Sequence, residues 1–167
     1  ASQSVFSLRA IVLFNRLSYT LLIPKSESHL KNEKELVEQI RQVADFQLGK
    51  GGGKTLFPDD VKIVCSRRTG RIRHIYLGSK LLATLRPTDG MFSLTVEGAK
   101  RLLESSKPHD LWVKVQEDAE PFIASGRSVF AKHVIEADKE IRPQEEVIVI
   151  GENSRVLAVG KAVLTGR

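Results

Sequence analysis

The chain has 167 residues, 41% of them hydrophobic and 28% charged, with a net charge of +6 and a pI of about 9.6. That balance excludes a disordered or fibrous chain, and the length allows one medium domain or two small ones. Its one cysteine, Cys65, excludes an internal disulfide and a cysteine-rich zinc site, and no apolar run reaches the ~20 residues of a membrane span.

Residues 5–23 are the richest apolar stretch, interrupted by Arg9, Asn15 and Arg16. Leu8, Ile11 and Val12 fit a helical face, and Tyr19 to Ile23 reads as a strand ended by Pro24. The interruptions argue against a secretory signal. Residues 33–46 predict a helix, with Leu36, Val37, Ile40, Val43 and Ala44 at helical spacing. Asn32 is placed to cap it, and Gly49 with the glycines at 51–53 to stop it. Strands follow at 61–66, 71–77, 80–85 and 91–95, then a helix over 97–105, and Ser105 to Pro108 as a linker. From Leu111 the pattern turns to β. Strands are expected near 112–115, 128–134, 147–150 and 155–164, with a turn and short helix over 117–125, a spacing that suits a small barrel.

The charge is uneven. Residues 1–109 carry +8 and residues 110–167 carry −2. A basic first part favours anionic partners such as nucleic acid, with phosphate contacts supplied mainly from there. Arg67, Arg68, Arg71, Arg73 and His74 gather around one hairpin turned at Gly70. The two-residue period puts Arg71 and Arg73 on one face. Such a projecting basic turn suits an RNA backbone, although a solvated edge hairpin would carry the same charges.

The run from Gly49 to Thr55 resembles a phosphate loop only in part. Gly53-Lys54-Thr55 supplies the end, but the first glycine would fall at position 48, which is Leu48. The run also follows a helix, where a phosphate loop follows a strand. Three readings stay open: a flexible loop, a glycine loop whose backbone approaches an RNA phosphate beside Lys50 and Lys54, and, least favoured by this context, a nucleotide-binding loop. Cys65 reads as a small strand residue in a reducing compartment. His29, His74, His109 and His133 share no metal-ligand spacing, and the scattered aspartates read as caps and turns. The residues offer no catalytic constellation, no metal set and no cofactor site.

The stretch from Glu117 to Ala162 resembles a PUA domain, a small β-barrel of RNA-modifying enzymes. Gly126 before Ser128-Val129-Phe130-Ala131-Lys132, the Arg142-Pro143 turn with Glu145-Glu146-Val147, and Gly160-Lys161-Ala162 carry the likeness. Gln144 departs from it, since a turn glycine is common there. Upstream, Ala44-Asp45-Phe46-Gln47-Leu48-Gly49, Ser66 to Arg73, Leu85-Arg86-Pro87-Thr88-Asp89-Gly90 and Val96-Glu97-Gly98-Ala99 follow in an order similar to archaeal archaeosine tRNA-guanine transglycosylases. There they form the domain before the PUA domain. The resemblance covers roughly residues 36–164.

The resemblance implies an α+β protein, an α/β pre-PUA domain over 1–107 and a PUA barrel over 108–167. It implies a cytoplasmic tRNA-binding part that lacks the catalytic barrel and is no enzyme alone, with a catalytic transglycosylase subunit as partner. The PUA domain would hold the acceptor stem and CCA end, and the preceding domain would present the D-arm. Carried over by motif, Gly126, Arg127, Ser128, Lys132, Gly160 and Lys161 are RNA-binding candidates; His133, next to Lys132, reads equally as an RNA contact or as an inert surface residue. Lys50, Lys54, Arg67, Arg68, Arg71 and Arg73 join them from the charge pattern. Three other readings stand beside this one: a freestanding PUA protein for another RNA or modification step, a nucleotide-dependent enzyme using the glycine run, and a protein-interaction module.

Overall fold

A computed structural model describes residues 9–10, 27–104 and 111–166. Two sheets organise them, each with its helices, in an α+β arrangement. Helix α1 (Glu27–Leu48) begins five residues before Asn32, so Asn32 lies inside it and is not its cap. No glycine or proline stands between Glu27 and Asn32 to stop the helix earlier. Ile40, Ala44 and Leu48 recur every fourth residue and are buried. Gly49 ends the helix at φ 91°, a conformation that glycine adopts without strain.

The glycine run forms a second helix, α2 (Gly52–Leu56), where the sequence reading placed a loop. Gly53 lies against the Arg41 backbone. A Cβ there would come within 2.7 Å of the Arg41 Cα and closer still to its carbonyl oxygen, so only glycine lets the two helices touch. Strands β2 (Lys62–Cys65), β3 (Ile72–Leu77), β4 (Lys80–Leu85) and β5 (Phe92–Leu94) pair in that order as an antiparallel meander. Helix α3 (Val96–Leu103) is capped by Thr95, whose Oγ1 accepts from the Gly98 N–H at 3.1 Å. The helices and one sheet face enclose Leu56, Phe57, Ile75, Leu82, Phe92 and Leu102, with the Phe57 and Phe92 rings 5.0 Å apart. Gln47 covers the β5 edge: its side chain donates to the Phe92 carbonyl (2.8 Å) and accepts from the Phe92 N–H (2.7 Å).

The second sheet has the order β1 (Arg9–Ala10), β9 (Val156–Lys161), β8 (Glu146–Ile150), β6 (Trp112–Val115), β7 (Val134–Ala137). Strand β6 runs parallel to β8, and the other pairs are antiparallel. All of β8 is buried, which explains its unbroken apolar run Val147 to Ile150. A 3₁₀ turn (Glu117–Ala119) and helix α4 (Glu120–Ala124) follow β6, matching the short helix expected there.

Three further expectations fail. Residues 128–134 do not form a strand: Ala131–His133 is a 3₁₀ turn in which the His133 N–H donates to the Phe130 carbonyl, and β7 starts only at Val134. Arg9 and Ala10 are not helical. They pair with Lys161 and Gly160, so this early segment joins the second sheet rather than the first. Arg73 is the unpaired residue of a bulge, because Val64 faces His74 while Cys65 faces Ile72. The bulge breaks the two-residue period that put Arg71 and Arg73 on one face. The rest of residues 5–23 and the linker Ser105–Pro108 lie outside the described residues. Gln144 keeps a positive φ of 72°, so the turn retains a glycine-like geometry without the glycine.

Candidate nucleic-acid interface

Lys50 and Lys54 are exposed beside the glycine run, but its backbone is already occupied. One Asp45 carboxylate oxygen accepts from the Gly51 N–H (3.1 Å) and the Gly53 N–H (2.7 Å), and the Gly52 N–H donates to the Gly49 carbonyl (3.0 Å). A carboxylate from the chain itself thus holds the place a phosphate would take. This speaks against both the nucleotide-loop reading and the reading in which the loop backbone meets an RNA phosphate, since these N–H groups already have partners within the chain. The lysine side chains remain free to act as point charges. Millimolar ATP or GTP with magnesium is accordingly expected to leave the thermal unfolding midpoint unchanged, since only a ligand of the folded state raises it. A rise abolished by Lys54→Ala would contradict this.

The hairpin between β2 and β3 carries Arg67, Arg68, Arg71 and Arg73, all exposed. From Val61 to Thr88 there are seven lysines and arginines and no aspartate or glutamate. That stretch covers β2, β3, β4 and both hairpin turns. Lys80 is paired with Glu97, and Arg86 with Asp89 and Glu146. Lys62 and the four hairpin arginines join no ion pair among the described residues and leave that side of the sheet positive.

In the second half, Gly126 (φ 90°) closes α4 and its N–H donates to the Ile123 carbonyl at 2.9 Å. Its glycine character is therefore required by the turn itself. Arg127 stands with its guanidinium 5.4 Å from the Phe122 ring centre, and Phe122 is 54% exposed. Ser128 is half-buried in the segment after α4, and Lys132 is exposed on the 3₁₀ turn Ala131–His133. His133 is half-buried, its Nδ1 3.9 Å from Asp118 and without a hydrogen bond. Gly160 is buried in β9 between β8 and β1, a place an RNA backbone does not reach. Lys161 is half-exposed and sits opposite Glu146 and Arg9. Gly126, Arg127 and Ser128 therefore form one surface with Phe122, which sequence reasoning overlooked. Its signal was an apolar residue beside Pro121 at a helix position turned away from the buried Ile123.

Sequence reasoning also missed the junction of the two halves. Glu146, at the start of β8, is 6% exposed. Its Oε1 accepts from the Leu94 N–H of β5 (2.9 Å), and its Oε2 from Arg86 Nη1 (3.3 Å). Arg86 is fixed in turn by Asp89 at 3.0 Å. Burial raises the Glu146 carboxyl to about 7, against the opposing pull of the Leu94 amide, Arg86 and Lys161. Helix α3 packs against β9 at the same junction. Among the described residues no group of three histidine, cysteine, aspartate or glutamate side chains could hold a metal ion, and no helix is long and apolar enough to cross a membrane.

Residues 38–109 match the patch-forming domain C2 of tRNA-guanine transglycosylase, and residues 112–167 match the PUA domain. The chain carries a C2 domain followed by a PUA domain. The tRNA-guanine(15) transglycosylase of Methanothermobacter thermautotrophicus is 46% identical over 128 residues, which are 77% of this chain and 20% of that protein. That of Thermococcus kodakarensis is 41% identical over 154 residues, 90% of this chain and 26% of that protein. The chain thus spans about a fifth to a quarter of the length of these relatives. Among solved structures, a hypothetical protein of Pyrococcus horikoshii aligns with a TM-score of 0.60 at 22% identity, covering 80% of each chain. A conserved PUA domain protein of Thermoplasma acidophilum aligns with a TM-score of 0.56 at 20% identity, covering 80% of this chain and 78% of that one. At such identities these two likenesses speak for the fold alone.

Proposed function

We propose that this chain is the tRNA-binding, non-catalytic part of an archaeosine tRNA-guanine transglycosylase, either as a C-terminal region or as a separate subunit. The observation that carries this reading is the tandem of C2 and PUA domains, 46% identical to a tRNA-guanine(15) transglycosylase while spanning only 20% of its length. The chain does no chemistry alone and works in the cytoplasm with a catalytic partner or domain that carries out the base exchange. The PUA domain holds the tRNA acceptor stem and CCA end through Arg127, Ser128 and Lys132, with Phe122 offering a ring for a terminal base. The C2 domain presents the D-arm, its carboxylate-free strands and the Arg67 to Arg73 hairpin supplying phosphate contacts. Lys50, Lys54 and Lys161 add charge at the margins. Binding of tRNA with and without its CCA end tests this reading.

A freestanding RNA-binding protein is the second reading. The two solved chains of comparable length show that the fold also occurs in chains of this size, which fits that reading without speaking for RNA. The second reading expects RNA binding that does not depend on a catalytic partner.

A further inference from the structure

The two faces of the C2 sheet differ in kind. The register puts Ile63, Ile75, Ala83 and Leu94 in one row across all four strands, and the last three are buried against the helices. Directly opposed residues project to the same face, and neighbours along a strand to opposite faces. The adjacent row, Val64–His74–Thr84–Ser93, therefore lies on the other face, and each of its members keeps solvent-accessible surface.

Tyr76 stands two residues beyond His74 on that outer face. The two rings meet edge to face with centroids 6.3 Å apart. Lys62 is directly opposite Tyr76 on β2 and is exposed. His74 Nδ1 lies 3.3 Å from the Thr84 hydroxyl, which fixes the imidazole on the sheet. Burial, and then the neighbouring Arg73, lower the His74 pKa, so the ring is uncharged at neutral pH and contributes its π face and hydrogen bonds rather than charge. At the β5 side Arg86 donates to the Ser93 hydroxyl (3.5 Å) and reaches Glu146, so the PUA domain adjoins this face. At the β2–β3 turn stands the arginine hairpin.

We propose that the outer face of the C2 sheet is a binding platform for an unpaired RNA segment, with a base stacked on Tyr76 beside His74. Lys62 and the hairpin arginines take the flanking phosphates. The occupant is fixed by chemistry: two aromatic rings on a sheet without a single carboxylate from Val61 to Thr88 suit a strand that offers both flat bases and negative charge. An acidic protein segment would use the charge but not the rings. The proposal rests on the RNA-binding reading of the chain and names a site on C2 apart from the PUA surface.

The test is binding of full-length tRNA and of a ten-nucleotide oligouridylate, across salt, to the wild-type chain and to Tyr76→Ala and Tyr76→Trp. Removal of a stacking ring is expected to weaken oligouridylate binding about 5- to 100-fold. The loss should be similar at every salt concentration, because no charge is removed. Tyr76→Trp should restore affinity, and its added fluorescence should be quenched by RNA. Equal affinity of wild type and a folded Tyr76→Ala for both probes, with tRNA still bound, overturns the platform and leaves the RNA reading standing. Failure of the wild-type chain to bind either probe overturns both. A Tyr76→Ala chain that unfolds at a lower temperature is judged by Tyr76→Trp, where an unquenched indole on bound RNA also overturns the platform.

Discussion

Replacing Glu146 with alanine is expected to cost about 2–4 kcal/mol of stability, the largest single effect at the junction of the two domains. The loss has two parts. The Leu94 N–H is left without its acceptor in a buried place, and Arg86 loses its buried carboxylate and keeps Asp89 and the Ser93 hydroxyl. Chemical denaturation at constant pH measures the loss. If the two domains then unfold in separate steps, the carboxylate is what joins them.

The same residue gives the chain a pH dependence of defined sign. The Glu146 carboxyl is raised from 4.5 to about 7 by burial, so the folded state holds this proton more tightly than the unfolded one. The stability that comes with it is fully present below pH 4.5 and is lost as pH rises through about 7. A shift of that size corresponds to about 3 kcal/mol between the limits, as an order of magnitude. Glu146→Gln keeps an acceptor for the Leu94 amide without a titrating proton, and its stability should lack this component. Parallel profiles for the two proteins between pH 4.5 and 8 would show that Glu146 titrates normally. Glu97 works in the opposite sense. Hydrogen bonds from Lys100 and Lys80 hold its carboxyl at about 2, so its contribution is lost only in strong acid.

Substitution of Arg67, Arg68, Arg71 and Arg73 together by glutamine is the second change expected to have a large effect. If the hairpin lies on RNA backbone, each arginine neutralises one phosphate and releases its counterions. The slope of log affinity against log salt should become shallower by about 3, and tRNA affinity at low salt should fall by two orders of magnitude or more. The four side chains are exposed and join no ion pair among the described residues, so the fold should be unaffected. An unchanged slope would make this a solvated hairpin and move the phosphate contacts elsewhere.

The β meander of the C2 domain was legible because its strands alternate and Gly70, Gly78 and Gly90 mark its turns, all at positive φ. Helix α2 was not. Three successive glycines have the poorest helix propensity short of proline, and here a carboxylate and a close backbone contact outweigh it. Asp45 supplies that carboxylate one turn before the end of α1, a fact that spacing alone does not reveal. The Arg73 bulge was hidden for a similar reason, since one extra residue in a strand leaves the composition unchanged. Within the site, the exposed hairpin arginines could be read directly from charge, and Arg127 and Lys132 only through the motif they belong to. Glu146 could not, because its partners Arg86 and Leu94 lie 60 and 52 residues away, and its neighbour Glu145 is the same residue type. Gly160 shows the limit of reading glycines as RNA contacts, since a glycine inside a sheet satisfies the same motif.

The most direct test of the central claim is the affinity of this chain for tRNA against tRNA lacking its CCA end, at a low and a near-physiological salt concentration. A PUA domain that holds the acceptor end requires weaker binding without CCA, with the difference surviving at higher salt. Equal binding that vanishes as salt rises would reduce the interaction to phosphate attraction and contradict the account.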